Sequence, residues 1–120
     1  MEQEFDWENY KVVVVIPAYN EDRCIGSVIL KLRQFPISVI VVDDGSRDDT
    51  ALISNAAGAR VLRHPTNQGK GAALNTGLGV ARNLDPDAIV LIDGDGQHLP
   101  EQLPALVRPI LIGAADLVLG

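Results

Sequence analysis

Two aspartates that lie one residue apart after an apolar run are the residues of this chain best suited to chemistry. Asp93 and Asp95 follow the run 89–92 (IVLI) and are separated by Gly94. In an extended chain, residues two apart lie on the same side, so both carboxylates can face one ion. Mg²⁺ and Mn²⁺ prefer oxygen ligands and often combine one or two carboxylates with substrate phosphates. Since Asp and Gly are also common turn residues, these residues alone leave a turn and a metal site equally open.

Polar residues just beyond the two aspartates extend this candidate site. Gln97 offers a neutral oxygen ligand, and Gly94 and Gly96 leave room for a ligand to approach the backbone. His98 lies beside the carboxylates without an assigned role. His64 has no evident partner in the sequence, and we predict that it is structural.

A second acidic pair follows another apolar run. Asp43 and Asp44 come directly after ISVIVV. A carboxylate at the carboxyl end of a strand can accept a hydrogen bond from a ribose hydroxyl or a base N–H, and we select Asp44 for that role. The segment also suits a turn and helix cap, to which we assign Asp48, Asp49 and Thr50. Both interpretations can hold together.

The segment PAYNE ends the first apolar run. Pro17 stiffens the exit from a strand, and Tyr19 offers a flat face on which a base can stack. Glu21 stands near a predicted helix start, and the residues alone favour an interaction with the helix dipole.

The segment NQGKGA (67–72) opens a predicted helix. Its glycines allow a phosphate to approach backbone N–H groups at the helix start, and Lys70 adds a positive charge. The spacing fits neither a P-loop nor a dinucleotide-binding fingerprint.

Hydrophobic patterning predicts alternating strands and helices that bring these segments to one edge. Strands are predicted at 11–17, 37–42, 60–64, 87–93 and 116–120, and helices at 21–35, 48–57, 69–83 and from 103 onward. Such alternation predicts an α/β fold with a mostly parallel, Rossmann-like sheet flanked by helices. Ligands bind such sheets outside the carboxyl ends of the strands, where all the motifs fall.

Bulk properties narrow the class of protein. The chain has 120 residues, enough for one domain, and its net charge of −6 argues against nucleic-acid binding. A divalent cation would supply the positive charge needed to hold phosphates. The single cysteine, Cys24, excludes an intrachain disulfide, and we expect it to be buried in a helix. No apolar run reaches the roughly 20 residues of a membrane span, and the acidic start is unlike a secretory signal, so we expect a cytoplasmic chain.

Four motifs in sequence order resemble those of family 2 glycosyltransferases with the glycosyltransferase A fold. They are VVVVIPAYNE (12–21), VIVVDDGSRDDT (39–50), NQGKGAALNTGL (67–78) and IDGDGQHLPE (92–101). The resemblance covers residues 11–120 and the N-terminal half of such an enzyme, and it is strongest to polyprenyl-phosphate hexosyltransferases of the dolichol-phosphate mannose synthase type.

The resemblance implies transfer of a hexose from a UDP- or GDP-sugar to an acceptor such as a polyprenyl phosphate, with Mg²⁺ or Mn²⁺. It implies that the metal on the diphosphate is held by Asp93, Asp95 and Gln97. It implies that the nucleotide is bound by Pro17, Tyr19, Glu21, Asp44, Lys70 and Asp93. In a full-length protein the site would face the cytoplasmic side of a membrane.

The chain length shapes the expected domain organisation. We expect residues 1–10 to be an N-terminal extension and 11–120 to be the nucleotide-sugar-binding half of a truncated domain, since such domains run about a hundred residues further. The acceptor site and any catalytic base would lie in the missing part, so donor binding is expected rather than turnover. An exposed edge strand would also allow a homodimer.

Four other classes of protein compete with this interpretation. A haloacid dehalogenase-type phosphatase also has D-x-D after a strand, but early in the chain and without Gln97. A receiver domain has its acidic pair after the first strand, not the second. A sugar nucleotidyltransferase has a Gly-rich basic loop where this chain has PAYNEDR. A non-catalytic nucleotide-sugar-binding module remains open.

Overall fold

The computed structural model describes residues 9–94 and 117–119, the last as a backbone strand only. The elements are β1 (Val12–Ala18), α1 (Ile25–Leu32), β2 (Ser38–Asp43), α2 (Thr50–Ala56), β3 (Arg60–Arg63), α3 (Lys70–Arg82), β4 (Ala88–Leu91) and β5 (Leu117–Leu119). The predicted alternation of strands and helices is confirmed over this part of the chain. The helix predicted from residue 103 lies outside the described residues.

Within the described residues, five strands form one sheet in the order β3-β2-β1-β4-β5, and every neighbouring pair is parallel. The chain moves outward from β1 to β3, and α3 then carries it back to β4 on the other side of β1. The strand order therefore reverses between β1 and β4. At such a reversal the loops after the two strands diverge and leave a crevice for a ligand.

Helices cover both faces of the sheet. Alternate residues of β1 contribute to two hydrophobic clusters, Val12 and Val14 to the one beneath α1, Val13 and Val15 to the one beneath α3. Because both faces of the sheet are buried, the sequence of β1 is continuously apolar and does not alternate between apolar and polar residues. The predicted parallel α/β fold is confirmed.

Small residues bring α3 close to the sheet. Ala73, Gly77 and Ala81 form the buried stripe of this helix. A Cβ atom at position 77 would collide with Val15 Cγ1 and lie 3.1 Å from Val42 Cγ2. The close approach of α3 places its first residues beside the carboxyl ends of β1 and β2, where the site motifs lie.

The first helix differs from the prediction at its start. The predicted range is 21–35, but the helix runs from Ile25 to Leu32, and the N–H groups of Glu21 and Asp22 bond to side chains at the start of α2 and in the loop before it instead of entering the helix. Cys24, expected to be buried, is half-buried at the N-cap of α1.

We predict that Gly77→Ala destabilises the protein by about 1–3 kcal/mol, the usual cost of overpacking a tight core. Gly79→Ala is the matched control, since position 79 is exposed on the same helix and a Cβ there meets nothing within 4 Å. This control should gain up to about 1 kcal/mol from helix propensity. Urea unfolding measures both, and equal stability of the two variants would contradict the packing described.

Candidate nucleotide site

A cleft of about 410 Å³ opens at the reversal between β1 and β4. Its lining includes all six residues predicted to bind a nucleotide: Pro17, Tyr19, Glu21, Asp44, Lys70 and Asp93. They come from three strand ends and the start of α3, so the fold gathers residues that are up to 76 positions apart (93 − 17). Their individual roles stay predictions. The predicted metal ligands Asp95 and Gln97, and also His98, lie outside the described residues.

The loop after β1 is held against the loop after β2. Asn20 donates its N–H to Ser46 Oγ over 2.8 Å, and its Oδ1 accepts the N–H of Arg47 over 2.9 Å. Asn20 has a φ of 52°, a left-handed conformation that asparagine tolerates better than most residues. The adjoining Tyr19, 43% exposed, is thereby presented at the rim of the cleft.

Residues predicted to cap α2 also bind this first loop. Thr50 Oγ1 accepts the N–H of Glu21 over 2.9 Å, and Asp48 Oδ2 accepts the N–H of Asp22 over 3.2 Å. Asp48 Oδ1 accepts the N–H of Thr50, the first residue of α2, over 3.0 Å, whereas Asp49, which stands at the N-cap, makes no side-chain cap bond. Burial raises the pKa of Asp48, but the hydrogen bonds from Thr50 and Asp22 outweigh it and leave the pKa lowered.

Glu21 lies both at the approach to α1 and in the lining of the cleft. It lies four residues before α1, its carbonyl oxygen accepts the N–H groups of Cys24 and Ile25, and the residue lines the cleft. The residue is therefore placed to act on the helix dipole and to contact a ligand, and both roles stay predictions.

Asp44 organises the entry to α3. Its Oδ1 accepts the N–H of Gln68 over 2.9 Å, and its Oδ2 accepts the N–H of Gly69 over 2.9 Å. The His64 Nδ1 atom lies 2.8 Å from Oδ1. The carboxylate thus ties the end of β2 to the end of β3 and to the loop before α3.

His64 is therefore not the unpaired residue that the sequence suggested. Its ring is buried and bridges Asp44 to Thr76, whose Oγ1 lies 2.8 Å from Nε2. His64 is 20 residues from Asp44 and 12 residues from Thr76 in the sequence. Neither spacing corresponds to a helix or strand repeat, so the sequence did not predict these contacts.

The pKa of Asp44 is lowered although the side chain is only 5% exposed. Burial is the largest single influence and raises the pKa, but the hydrogen bonds from Gln68, His64 and Gly69 together outweigh it. Asp44 is accordingly ionised at neutral pH and acts only as a hydrogen-bond acceptor.

The neighbouring Asp43 faces away from the cleft. It is fully buried, its Oδ1 accepts the N–H of Ser46 over 3.0 Å, and its Oδ2 lies 3.4 Å from Arg63 Nε. Of the two aspartates in the acidic pair, only Asp44 lines the cleft.

Lys70 and Asp93 form an ion pair across the cleft. Lys70 is the first residue of α3, and its Nζ lies 2.6 Å from Asp93 Oδ1. A positive charge at a helix N-terminus is unfavourable by itself, so an anionic partner is needed there. The Asp93 oxygens are donors of the type that Mg²⁺ and Mn²⁺ prefer, and Lys70 is the cation beside them in this structure. Within residues 9–94, no cluster of three acidic, His or Cys side chains forms a complete metal site.

A parallel sheet with helices on both faces and a polar cleft at its strand-order reversal defines a doubly wound α/β domain of the nucleotide-binding type. The sequence matches the model of glycosyl transferase family 2 over residues 13–120. The chain belongs to this family. The phosphatase, receiver and nucleotidyltransferase alternatives are therefore rejected.

Two relatives with named activities align with nearly the whole of this chain. A UDP-N-acetylglucosamine–dolichyl-phosphate N-acetylglucosaminyltransferase of Methanococcus voltae is 32% identical, over 91% of this chain and 51% of the relative. An undecaprenyl-phosphate mannosyltransferase of Micrococcus luteus is 37% identical, over 92% of this chain and 47% of the relative. The chain thus spans about half the length of these curated relatives.

A solved structure confirms the glycosyltransferase A fold. Glucosyl-3-phosphoglycerate synthase from Mycobacterium tuberculosis, in complex with Mn²⁺, UDP-glucose and phosphoglyceric acid, superposes with a TM-score of 0.72 and 36% identity. The match covers 88% of this chain and 41% of that enzyme. Every helix that the structure of our chain describes falls short of what a bilayer span requires in length and apolar character.

We predict that Asp44→Asn lowers the free energy of unfolding by about 1–3 kcal/mol, because the amide nitrogen cannot accept a hydrogen bond as the carboxylate oxygen does. Asp44 has a folded-state pKa below its ordinary value of 3.8, so its contribution is full above pH 3.8 and is lost as the pH falls through the lowered value. The difference between wild type and variant should thus be constant near neutrality and shrink in acid. Chemical unfolding at several pH values measures it, with the exposed Asp49→Asn as control, and a difference that grows in acid would contradict this account.

We predict that Asn20→Ala is less stable than Asn20→Gly by about 1 kcal/mol. Both variants remove the acceptor for Arg47, but only alanine bears the steric cost of the left-handed conformation. The difference in melting temperature between the two variants measures this steric cost. Equal melting temperatures would show that position 20 does not hold a positive φ.

Proposed function

We propose that this chain is the donor-binding half of a glycosyltransferase that transfers a hexose from a nucleoside diphosphate sugar. The observation that carries the proposal is the cleft between β1 and β4, which collects an exposed aromatic face, acidic acceptors and a lysine at a helix start. Membership of glycosyl transferase family 2 and the UDP-glucose complex of a structural relative support it.

Each part of a nucleoside diphosphate has a matching group in the cleft. Tyr19 offers a stacking surface for the base beside Pro17, and the carboxylates of Asp44 and Glu21 accept hydrogen bonds from the base or ribose. Lys70 stands at the N-terminus of α3, where backbone N–H groups and its ammonium attract phosphate.

A divalent cation completes the proposed donor site. The Asp93 carboxylate fits Mg²⁺ or Mn²⁺ because these ions prefer oxygen ligands and the residue lines the cleft. We propose Asp95 and Gln97 as the further ligands. The metal would neutralise negative charge that builds up on the leaving nucleoside diphosphate.

The acceptor is proposed from the relatives. Two of them are named for dolichyl phosphate and undecaprenyl phosphate, so a polyprenyl phosphate is the proposed acceptor of the whole protein. That substrate would place the site at the cytoplasmic face of a membrane. We propose no catalytic base among the described residues.

Calorimetry with UDP and GDP, with and without Mn²⁺, tests this function. We expect Mn²⁺-dependent binding of one nucleotide and a loss of about tenfold or more in Asp93→Asn, since an interaction with a charged group contributes on the order of 1.5–3 kcal/mol. Asp49→Asn is the matched control, because it removes an equal charge at an exposed position outside the cleft lining.

Two outcomes would contradict the proposal. A folded chain that binds neither nucleotide would show that this half does not form a donor site by itself. Binding that is unaffected by Mn²⁺ and by Asp93→Asn would move the site away from Asp93.

A further inference from the structure

We propose that His64 is a positioning residue that holds Asp44 so that a single acceptor position faces the cleft, and that this arrangement selects uracil over guanine. The inference rests on the proposed donor-binding function and names the base that the site accepts. It is carried by the hydrogen bonds around Asp44 and by which of their partners line the cleft.

An ionised carboxylate offers about four acceptor positions, two on each oxygen. Asp44 Oδ1 receives the Gln68 N–H at 2.9 Å and His64 Nδ1 at 2.8 Å, so both of its positions are used. Asp44 Oδ2 receives the Gly69 N–H at 2.9 Å. Among the contacts of the described residues, one acceptor position is therefore left, and it belongs to Oδ2.

The remaining position lies on the cleft side of the carboxylate. Gly69, the partner of Oδ2, lines the cleft, whereas neither partner of Oδ1, His64 or Gln68, is part of the lining. The acceptor position left on Oδ2 is therefore the one that lies beside a lining residue and that a ligand in the cleft can use.

His64 fixes the orientation of the Asp44 carboxylate through its contact with Oδ1. Because Asp44 can only accept, His64 Nδ1 must carry a proton and donate it to Oδ1. The other ring nitrogen lies 2.8 Å from Thr76 Oγ1 on α3, and that hydroxyl is itself held 3.1 Å from the carbonyl oxygen of Ala72. With both ring nitrogens engaged, the imidazole does not turn, and the carboxylate cannot rotate to present both oxygens to the cleft.

The two candidate bases differ in what they offer such an acceptor. Uracil presents one N–H between two carbonyl groups, which matches a single acceptor position. Guanine presents two adjacent N–H donors, which pair best with both oxygens of one carboxylate. In this cleft the second guanine donor would face Oδ1, whose acceptor positions are already used, and would lose its hydrogen bond.

The test is calorimetric titration of the whole chain with UDP and with GDP in the presence of Mn²⁺. We expect the wild type to bind UDP about tenfold more tightly than GDP, the effect of one lost hydrogen bond. Equal or tighter binding of GDP would overturn the inference and leave the proposed function intact. Binding of neither nucleotide would overturn the proposed function itself, and the inference with it.

Two variants separate positioning from a purely structural role. In His64→Asn the amide nitrogen stands where Nδ1 stood and keeps the bond to Asp44, whereas in His64→Gln it reaches the Nε2 position and keeps only the contact with Thr76. We expect His64→Asn to retain the preference for UDP within about threefold, and His64→Gln to reduce it to about one. Equal loss of UDP and GDP affinity in both variants would show that His64 only stabilises the fold, and would overturn its assignment.

Discussion

The buried Asp44 carboxylate is the interaction on which the candidate site depends. It binds the N–H groups of Gln68 and Gly69 and the ring of His64, and so joins three segments that are separate in sequence. Since a buried charge is costly unless it is fully hydrogen-bonded, the loop before α3 is held in one conformation. That conformation sets where the helix N-terminus, and with it Lys70, meets the cleft.

The packing of α3 on the sheet and the hydrogen bonds between the loops after β1 and β2 also fix the shape of the cleft. Gly77 lets the helix lie against Val15 and Val42, and the loop after β1 is bonded to the loop after β2 through Asn20 and Ser46. Most of the cleft wall is therefore built before any ligand arrives, which lowers the entropy that binding must overcome. The Lys70–Asp93 pair is different, because both side chains are partly exposed and solvent weakens the attraction between them.

The strands and the cleft-lining residues were predictable from the sequence for a physical reason. A strand buried on both faces must be continuously apolar. The polar residues that follow the apolar runs before Asp44 and Asp93 therefore show where these two strands end. Parallel strands then align those ends at one edge. The start of α1 was predicted too early, because helical periodicity does not register that the N–H groups of Glu21 and Asp22 bond to side chains of another loop.

The sequence by itself determined the alternation of elements, the parallel sheet and the edge at which the acidic residues gather, since these follow from local patterning and the geometry of parallel strands. The tertiary structure alone decided that His64 pairs with Asp44 and Thr76, and that Lys70 meets Asp93. These contacts join residues 12 to 23 positions apart on different elements. No local pattern encodes them, because they arise only when packing of α3 on the sheet fixes the distance between strand ends and helix start.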